Sequence, residues 1–237
     1  MAANIKRKIR DIIITYDKVV KVVDKNASED SDRAYGGVVR SVKGKLQEHI
    51  TEEIIKIAWG NIGGQSNRIK INSLKHRIPI KKEYVMKIKD DQIKQYILSN
   101  ISDYYFSLSI DKQVFIDDQF VIGIECKAYT ENAMMKRILV DFSLLKTVFP
   151  NISCYLFQLE SQLGGDFCEL KDITFGSKPT HTLMSYFPEV KLHIFTFLKG
   201  ERRVDEPIHK KEYFKPLERL QIERAISLLS QDLKKYL

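Results

Sequence analysis

The stretch Ser109-Ile110-Asp111-Lys112-Gln113-Val114-Phe115-Ile116-Asp117-Asp118-Gln119-Phe120-Val121-Ile122-Gly123-Ile124-Glu125-Cys126-Lys127 decides the reading of this chain. Two apolar runs flank an acidic turn, the pattern of a β-hairpin with strands near 113–116 and 120–127. The second run ends in a carboxylate and an ammonium two residues apart. Residues i and i+2 of a strand share a face, so Glu125 and Lys127 stand side by side. Charges at the end of an apolar strand are costly to desolvate unless they are paired or hold a ligand. The pair therefore suggests a metal-ion and phosphate site.

Such a site needs a second carboxylate, because a hard cation such as Mg²⁺ takes oxygen ligands and keeps some of its waters. Asp111, Asp117 and Asp118 are the candidates. Asp117 and Asp118 lie at the turn, about 23 Å from Glu125 along an extended strand at ~3.3 Å per residue. With a three-residue turn at 117–119, Asp111 falls directly opposite Glu125 on the same face, with Cα atoms about 4.5–5.5 Å apart. A two-residue turn would shift the pairing by one. Asp111 is the better choice, and Asp117-Asp118 reads as a solvated turn.

Downstream, residues 131–148 predict an amphipathic helix with Met135, Ile138, Leu139, Phe142 and Leu145 on one face, Thr130 as its N-cap and Pro150 closing it. Ile152 to Leu159 is a nearly continuous apolar run, as expected of a buried strand. Strand, helix and strand make a βαβ unit with parallel strands and a right-handed crossover. Upstream, helices are predicted over 4–24 and from Gly37 to Ala58, with a loop from Asp24 to Asp32 between them. Gly60, Gly63 and Gly64 mark another loop. Residues 65–82 read as a basic hairpin or extended arm, and 90–101 as a short helix. Leu192 to Leu198 is a further strand, and 217–236, after Pro216, a C-terminal helix. The fold class is α/β: a mixed central β-sheet flanked by helices, with 1–237 as a single domain.

The chain has 237 residues, 43% hydrophobic and 30% charged, enough for a sizeable core. A net charge of +8 and a pI near 9.2 favour an anionic partner, nucleic acid first and a membrane surface second. Cys126, Cys154 and Cys168 are odd in number and unpaired in spacing, against a disulfide framework or a zinc ribbon. The five histidines show no ligand spacing, and His193 reads as a strand residue. The charged N-terminus has no signal-peptide core, and no apolar run approaches the ~20 residues that span a bilayer. The expected compartment is the cytoplasm.

The order Asp111, then Glu125-Cys126-Lys127, then an amphipathic helix and a buried strand resembles the PD-(D/E)XK nuclease superfamily. Within it, the chain resembles a type II restriction endonuclease of the EcoRI-like branch. The resemblance covers about 109–160, and Ile110 stands where the motif has Pro. It implies a restriction-endonuclease-like core and an Mg²⁺-dependent, sequence-specific cleavage of double-stranded DNA, leaving 5′-phosphate and 3′-hydroxyl ends. Mn²⁺ is the implied substitute. Asp111, Glu125 and the backbone carbonyl of Cys126 would hold the metal. Lys127 would orient the attacking water or stabilise the transition state. A palindromic site would call for a homodimer, with one centre per strand.

DNA contacts are expected from Arg68, Lys70, Arg77 and Lys81 in the basic segment, since Lys and Arg neutralise phosphates and Arg reads guanine edges. Tyr129, Asn132, Lys136 and Arg137 near the start of the helix are further candidates. In the superfamily a preceding helix can add a glutamate to the metal site, for which Glu48 and Glu52, with Glu53, are available. Glu160, Gln162 and the turn Gly164-Gly165-Asp166 sit after the buried strand, where a site can border. Two rival readings are a non-catalytic basic DNA-binding protein and a structure-guided repair or recombination nuclease. Nucleotide phosphoryl transfer is poorly supported: neither Gly60–Gly64 nor Val42-Lys43-Gly44-Lys45-Leu46 has the spacing and hydroxyl of a phosphate-binding loop.

Overall fold

The hairpin forms from β4 (Lys112–Ile116) and β5 (Gln119–Glu131), but its turn is tighter than expected. Ile116 pairs with Gln119, so Asp117 and Asp118 alone make the turn. Their φ angles of 47° and 64° are left-handed, as the favoured two-residue hairpin turn requires and as Asp tolerates. Taken alone, this corrects the three-residue turn and would slip the register by one. A β-bulge between Val114 and Phe115 undoes the slip: Phe115 pairs with Phe120, whereas Val114 pairs with Ile122 and Lys112 with Ile124. Val121 is the extra residue. Asp111 thereby regains its place opposite Glu125.

A computed structural model describes residues 2–27, 34–163, 178–206, 208 and 210–237. In chain order the helices are α1 (Ala2–Ala27), α2 (Ala34–Asn61), α3 (Lys82–Met86), α4 (Asp91–Ser99), α5 (Asn132–Val148), α6 (Lys178–Ser185) and α7 (Arg219–Leu233). The remaining strands are β1 (Ile69–Asn72), β2 (His76–Pro79), β3 (Tyr105–Leu108), β6 (Ser153–Gln162) and β7 (His193–Thr196). The central sheet has the order β1-β4-β5-β6-β7. β1, β4 and β5 are antiparallel, while β5, β6 and β7 run parallel, giving the expected mixed sheet.

Helices cover both faces, because β5 and β6 are buried on both sides along most of their length. Ile50, Ile54 and Trp59 of α2 and Ile222, Ile226 and Leu229 of α7 share one core with Val114, Ile122 and Ile124. Met135, Leu139 and Phe142 of α5 share the other with Ile110, Phe120 and Leu156. Gly123 faces the α5 side. A Cβ there would lie 2.3 Å from Ile110 Cδ1 and 3.0 Å from Phe142 Cε1, so a larger residue would force the Ile110 side chain to shift.

Three expectations need correction. The basic segment is not a hairpin: β1 pairs with β4, and β2 pairs instead with β3 in a separate two-stranded sheet. The loop expected from Asp24 begins later, since α1 runs through Ala27; residues 28–33 lie outside the described residues. Thr130 is not an N-cap. β5 stays paired with β6 as far as Glu131↔Gln162, so sheet hydrogen bonds hold Thr130 in the strand, and Glu131 occupies the cap position without a side-chain bond. Cys168 and Gly164-Gly165-Asp166 also lie outside the described residues.

Candidate active site

Glu125 and Lys127 do not end their strand; β5 continues four residues beyond Lys127. What ends beside them is β4. Its last pair is Lys112 with Ile124, and past that point the edge of β5 has no strand partner on this side. Asp111, one residue before β4, fills the gap: the Cys126 amide donates to Asp111 Oδ2 at 2.8 Å. The break in the ladder thus brings a carboxylate to a backbone donor that has lost its strand partner.

Lys127 closes the cluster. Its Nζ donates to Asp111 Oδ2 at 2.8 Å, to Glu125 Oε2, and to the Cys126 carbonyl at 3.3 Å. The three oxygens expected to hold a metal therefore converge on one cationic atom. Glu125 is almost fully buried, while the side chains of Asp111 and Lys127 remain about one-third exposed, at 32% and 31%. The centre is anchored in the core yet open to an incoming group.

Burial, and then the charge of Asp111, push the Glu125 carboxyl up to about 7 against the opposing pull of Lys127. For Lys127, burial pulls the other way, but Glu125 and Asp111 outweigh it and hold its pKa above the ordinary lysine value. It stays an ammonium. The Cys126 thiol faces away from the centre, donating to Thr51 Oγ1 of α2 at 3.3 Å, and burial pushes its pKa up. Cys126 serves through its backbone, not its sulfur.

The oxygens fit a hard divalent cation by type, by number and by their common focus. Among the described residues no group of three or more His, Cys, Asp or Glu side chains is arranged to hold a metal. A cation here would rest on two carboxylates and one carbonyl, with water completing its shell.

The other expected residues are more scattered. Glu48 and Glu52 pair with Lys112 at 3.4 and 3.5 Å. Because Lys112 neighbours Asp111 in sequence, it turns to the opposite face, and takes the glutamates with it. Arg68 and Lys70 lie at the far end of the hairpin, where they pair with Asp117 and Asp118, each at 2.6 Å. Arg77 lies over the Tyr105 ring at 4.3 Å, and Lys81 is exposed just before α3. Tyr129 is covered by the Arg202 guanidinium at 3.7 Å. Asn132 accepts from Thr180 Oγ1 at 2.7 Å. Lys136 is exposed, and Arg137 pairs with Asp141 at 3.6 Å. Glu160 is held by Lys215 at 2.9 Å, and Gln162 by Arg202 at 2.8 Å.

Two contributors were missed. Gly123 makes room for the side chain of Ile110, the residue before Asp111. Asp141, on α5, lies within electrostatic reach of Lys127; burial raises its pKa while Arg137 and Lys127 oppose the rise. The signal for Asp141 was a lone acid beside the apolar positions 138, 139 and 142.

No family model matches this chain, and no solved structure matches it. The type II restriction enzyme DdeI of Desulfomicrobium norvegicum is 52% identical over 237 residues, covering 98% of this chain and 99% of that relative. The chain belongs to the type II restriction enzymes, the sequence-specific DNA endonucleases.

Proposed function

We propose that Asp111, Glu125 and Lys127 form the hydrolytic centre, in the PD-(D/E)XK arrangement of the EcoRI-like branch, with Mg²⁺ as metal and Mn²⁺ as substitute. The observation that carries this reading is the convergence of Asp111 Oδ2, Glu125 Oε2 and the Cys126 carbonyl on Lys127 Nζ. Asp111, Glu125 and that carbonyl would hold the ion, which when bound supplies Lewis acidity to the scissile phosphate and lowers the pKa of a bound water. Lys127 holds its proton, so it acts as a donor to phosphate oxygens and stabilises the charge that builds on them. The Cys126 amide holds the Asp111 carboxylate against the edge of β5.

The substrate in this reading is duplex DNA, met in the cytoplasm by a homodimer of single-domain chains. Exposed Arg77, Lys81, Lys136 and Arg137 are the phosphate contacts it favours, with Tyr129 and Asn132 bordering them. Arg68 and Lys70 are less favoured, because they lie at the far end of the hairpin from the candidate centre, beside Asp117 and Asp118. Among the described residues no helix is long and apolar enough to cross a membrane.

The test is plasmid digestion. Discrete bands are expected with Mg²⁺ or Mn²⁺ and none with a chelator, and Glu125→Ala should abolish them. Normal cutting by Glu125→Ala would remove Glu125 from the centre.

A further inference from the structure

The excursion between β2 and β3, which carries α3 and α4, has a surface that a lone molecule does not need. Tyr84, Met86, Ile93, Tyr96 and Phe106 are each 52–65% exposed. These helices are nonetheless firmly built. Val85 and Ile97 are buried beneath them, and the Asp90 carboxylate caps α4 by accepting from the Gln92 and Ile93 amides at 2.9 and 3.0 Å. The apolar side chains are displayed on a platform, not shed by a frayed one.

Their area fits a macromolecular partner. Large side chains bury ~150–250 Å² each, so five of them more than half open present on the order of 500 Å² of largely apolar surface. A standard interface buries about 800 Å² per partner, of which roughly 60% is apolar. Charge then selects the partner. Lys82, Lys87 and Lys89 stand among these residues together with Glu83, Asp90 and Asp91, all exposed. A face for DNA phosphates would carry one sign. A face that meets its own copy across a two-fold axis needs both, since each lysine must find an acid on the other copy.

We propose that the α3–α4 face is the two-fold contact between two copies of this chain. The inference rests on the reading of a duplex endonuclease, in which two strands require two centres and the described residues of one chain supply one. The contact would also set the spacing of those centres. β3 leaves the excursion and reaches Asp111 three residues after Leu108, and β2 is tied to β4 by the His76 Nε2–Gln113 Oε1 hydrogen bond at 2.8 Å.

The experiment is the solution mass of the full chain without DNA or metal, by sedimentation or light scattering. The wild type should show a two-chain mass. Tyr84→Glu with Tyr96→Glu should halve it at equal concentration, while a cooperative thermal melt shows that the variant still folds. A wild-type chain of single mass at tens of micromolar overturns the proposal. So does a double variant that keeps the two-chain mass, and if that variant has also lost duplex binding the face belongs to DNA. Should the double variant not fold, Ile93→Cys gives an independent reading against wild type labelled in parallel. Maleimide should react with the added thiol faster on dilution than at high protein concentration, and equal rates overturn the idea. None of these measurements involves cleavage. A halved mass with uncut wild-type DNA would sink the nuclease centre alone, and cut DNA without a mass change would sink the dimer face alone.

Discussion

Asp111 Oδ2 stands 2.8 Å from the Cys126 amide, in the position a strand partner would take if β4 began two residues earlier. One carboxylate thus completes the sheet and faces the candidate metal seat. The two duties can be separated. Asp111→Asn keeps an acceptor for the amide but loses the charge, so the fold should hold while cleavage falls by ~100-fold or more. Asp111→Leu removes both, and leaving the amide unpaired should cost a further ~1–3 kcal/mol of stability. Melting curves and digestion rates, measured side by side, check this. Wild-type cleavage by Asp111→Asn would confine the residue to structure.

Gly123 offers a sharper test of positioning, because the atom in the way is known. Gly123→Ala drives a methyl into Ile110 Cδ1. Overpacking of this kind costs ~1–3 kcal/mol, and it should displace Asp111 next door. Ile110→Val removes that Cδ1, so the double variant Gly123→Ala/Ile110→Val should regain most of the lost stability and cleavage. A double variant no better than Gly123→Ala would show that the strain lies elsewhere.

DNA contacts can be sorted by salt dependence. Each phosphate contact contributes about −0.9 to the slope of log affinity against log salt. Arg77→Ala and Lys81→Ala should each make the slope shallower by about one contact. Arg68→Ala and Lys70→Ala should leave it unchanged, since Asp117 and Asp118 already match those charges. Fluorescence anisotropy on a labelled duplex, without metal, reads all four.

His193 should make stability depend on acid. Burial beside the Tyr155 ring lowers its pKa, and Asp232 only partly opposes the effect. A histidine depressed in the folded state contributes stability that is present above its unfolded pKa of ~6.5 and is lost as pH falls through the folded value. The melting temperature should therefore drop as pH falls below ~6.5, and His193→Gln should flatten that part of the curve. Parallel curves for the two proteins would contradict the assignment.

The candidate centre was legible because its parts are local. Glu125 and Lys127 share a face by the two-residue period of a strand, and the apolar run around them announces that strand whatever it packs against. The flanking βαβ unit and the long helices follow from periodicity in the same way. The 65–82 segment was not legible, because a short basic strand carries no mark of its partner. β1 found β4 and β2 found β3 through contacts some 40 and 30 residues away.

The sequence by itself determined the α/β class and the hairpin, and singled out Asp111, Glu125 and Lys127 as the candidate trio. Tertiary structure decided how that trio comes together. The turn is a residue shorter than expected, and only the bulge at Val121 returns Asp111 to the level of Glu125. Turn and bulge each shift the register by one, in opposite senses, and strand propensity is blind to both. Their sum is settled by which side chains the two cores on either face of the sheet can bury.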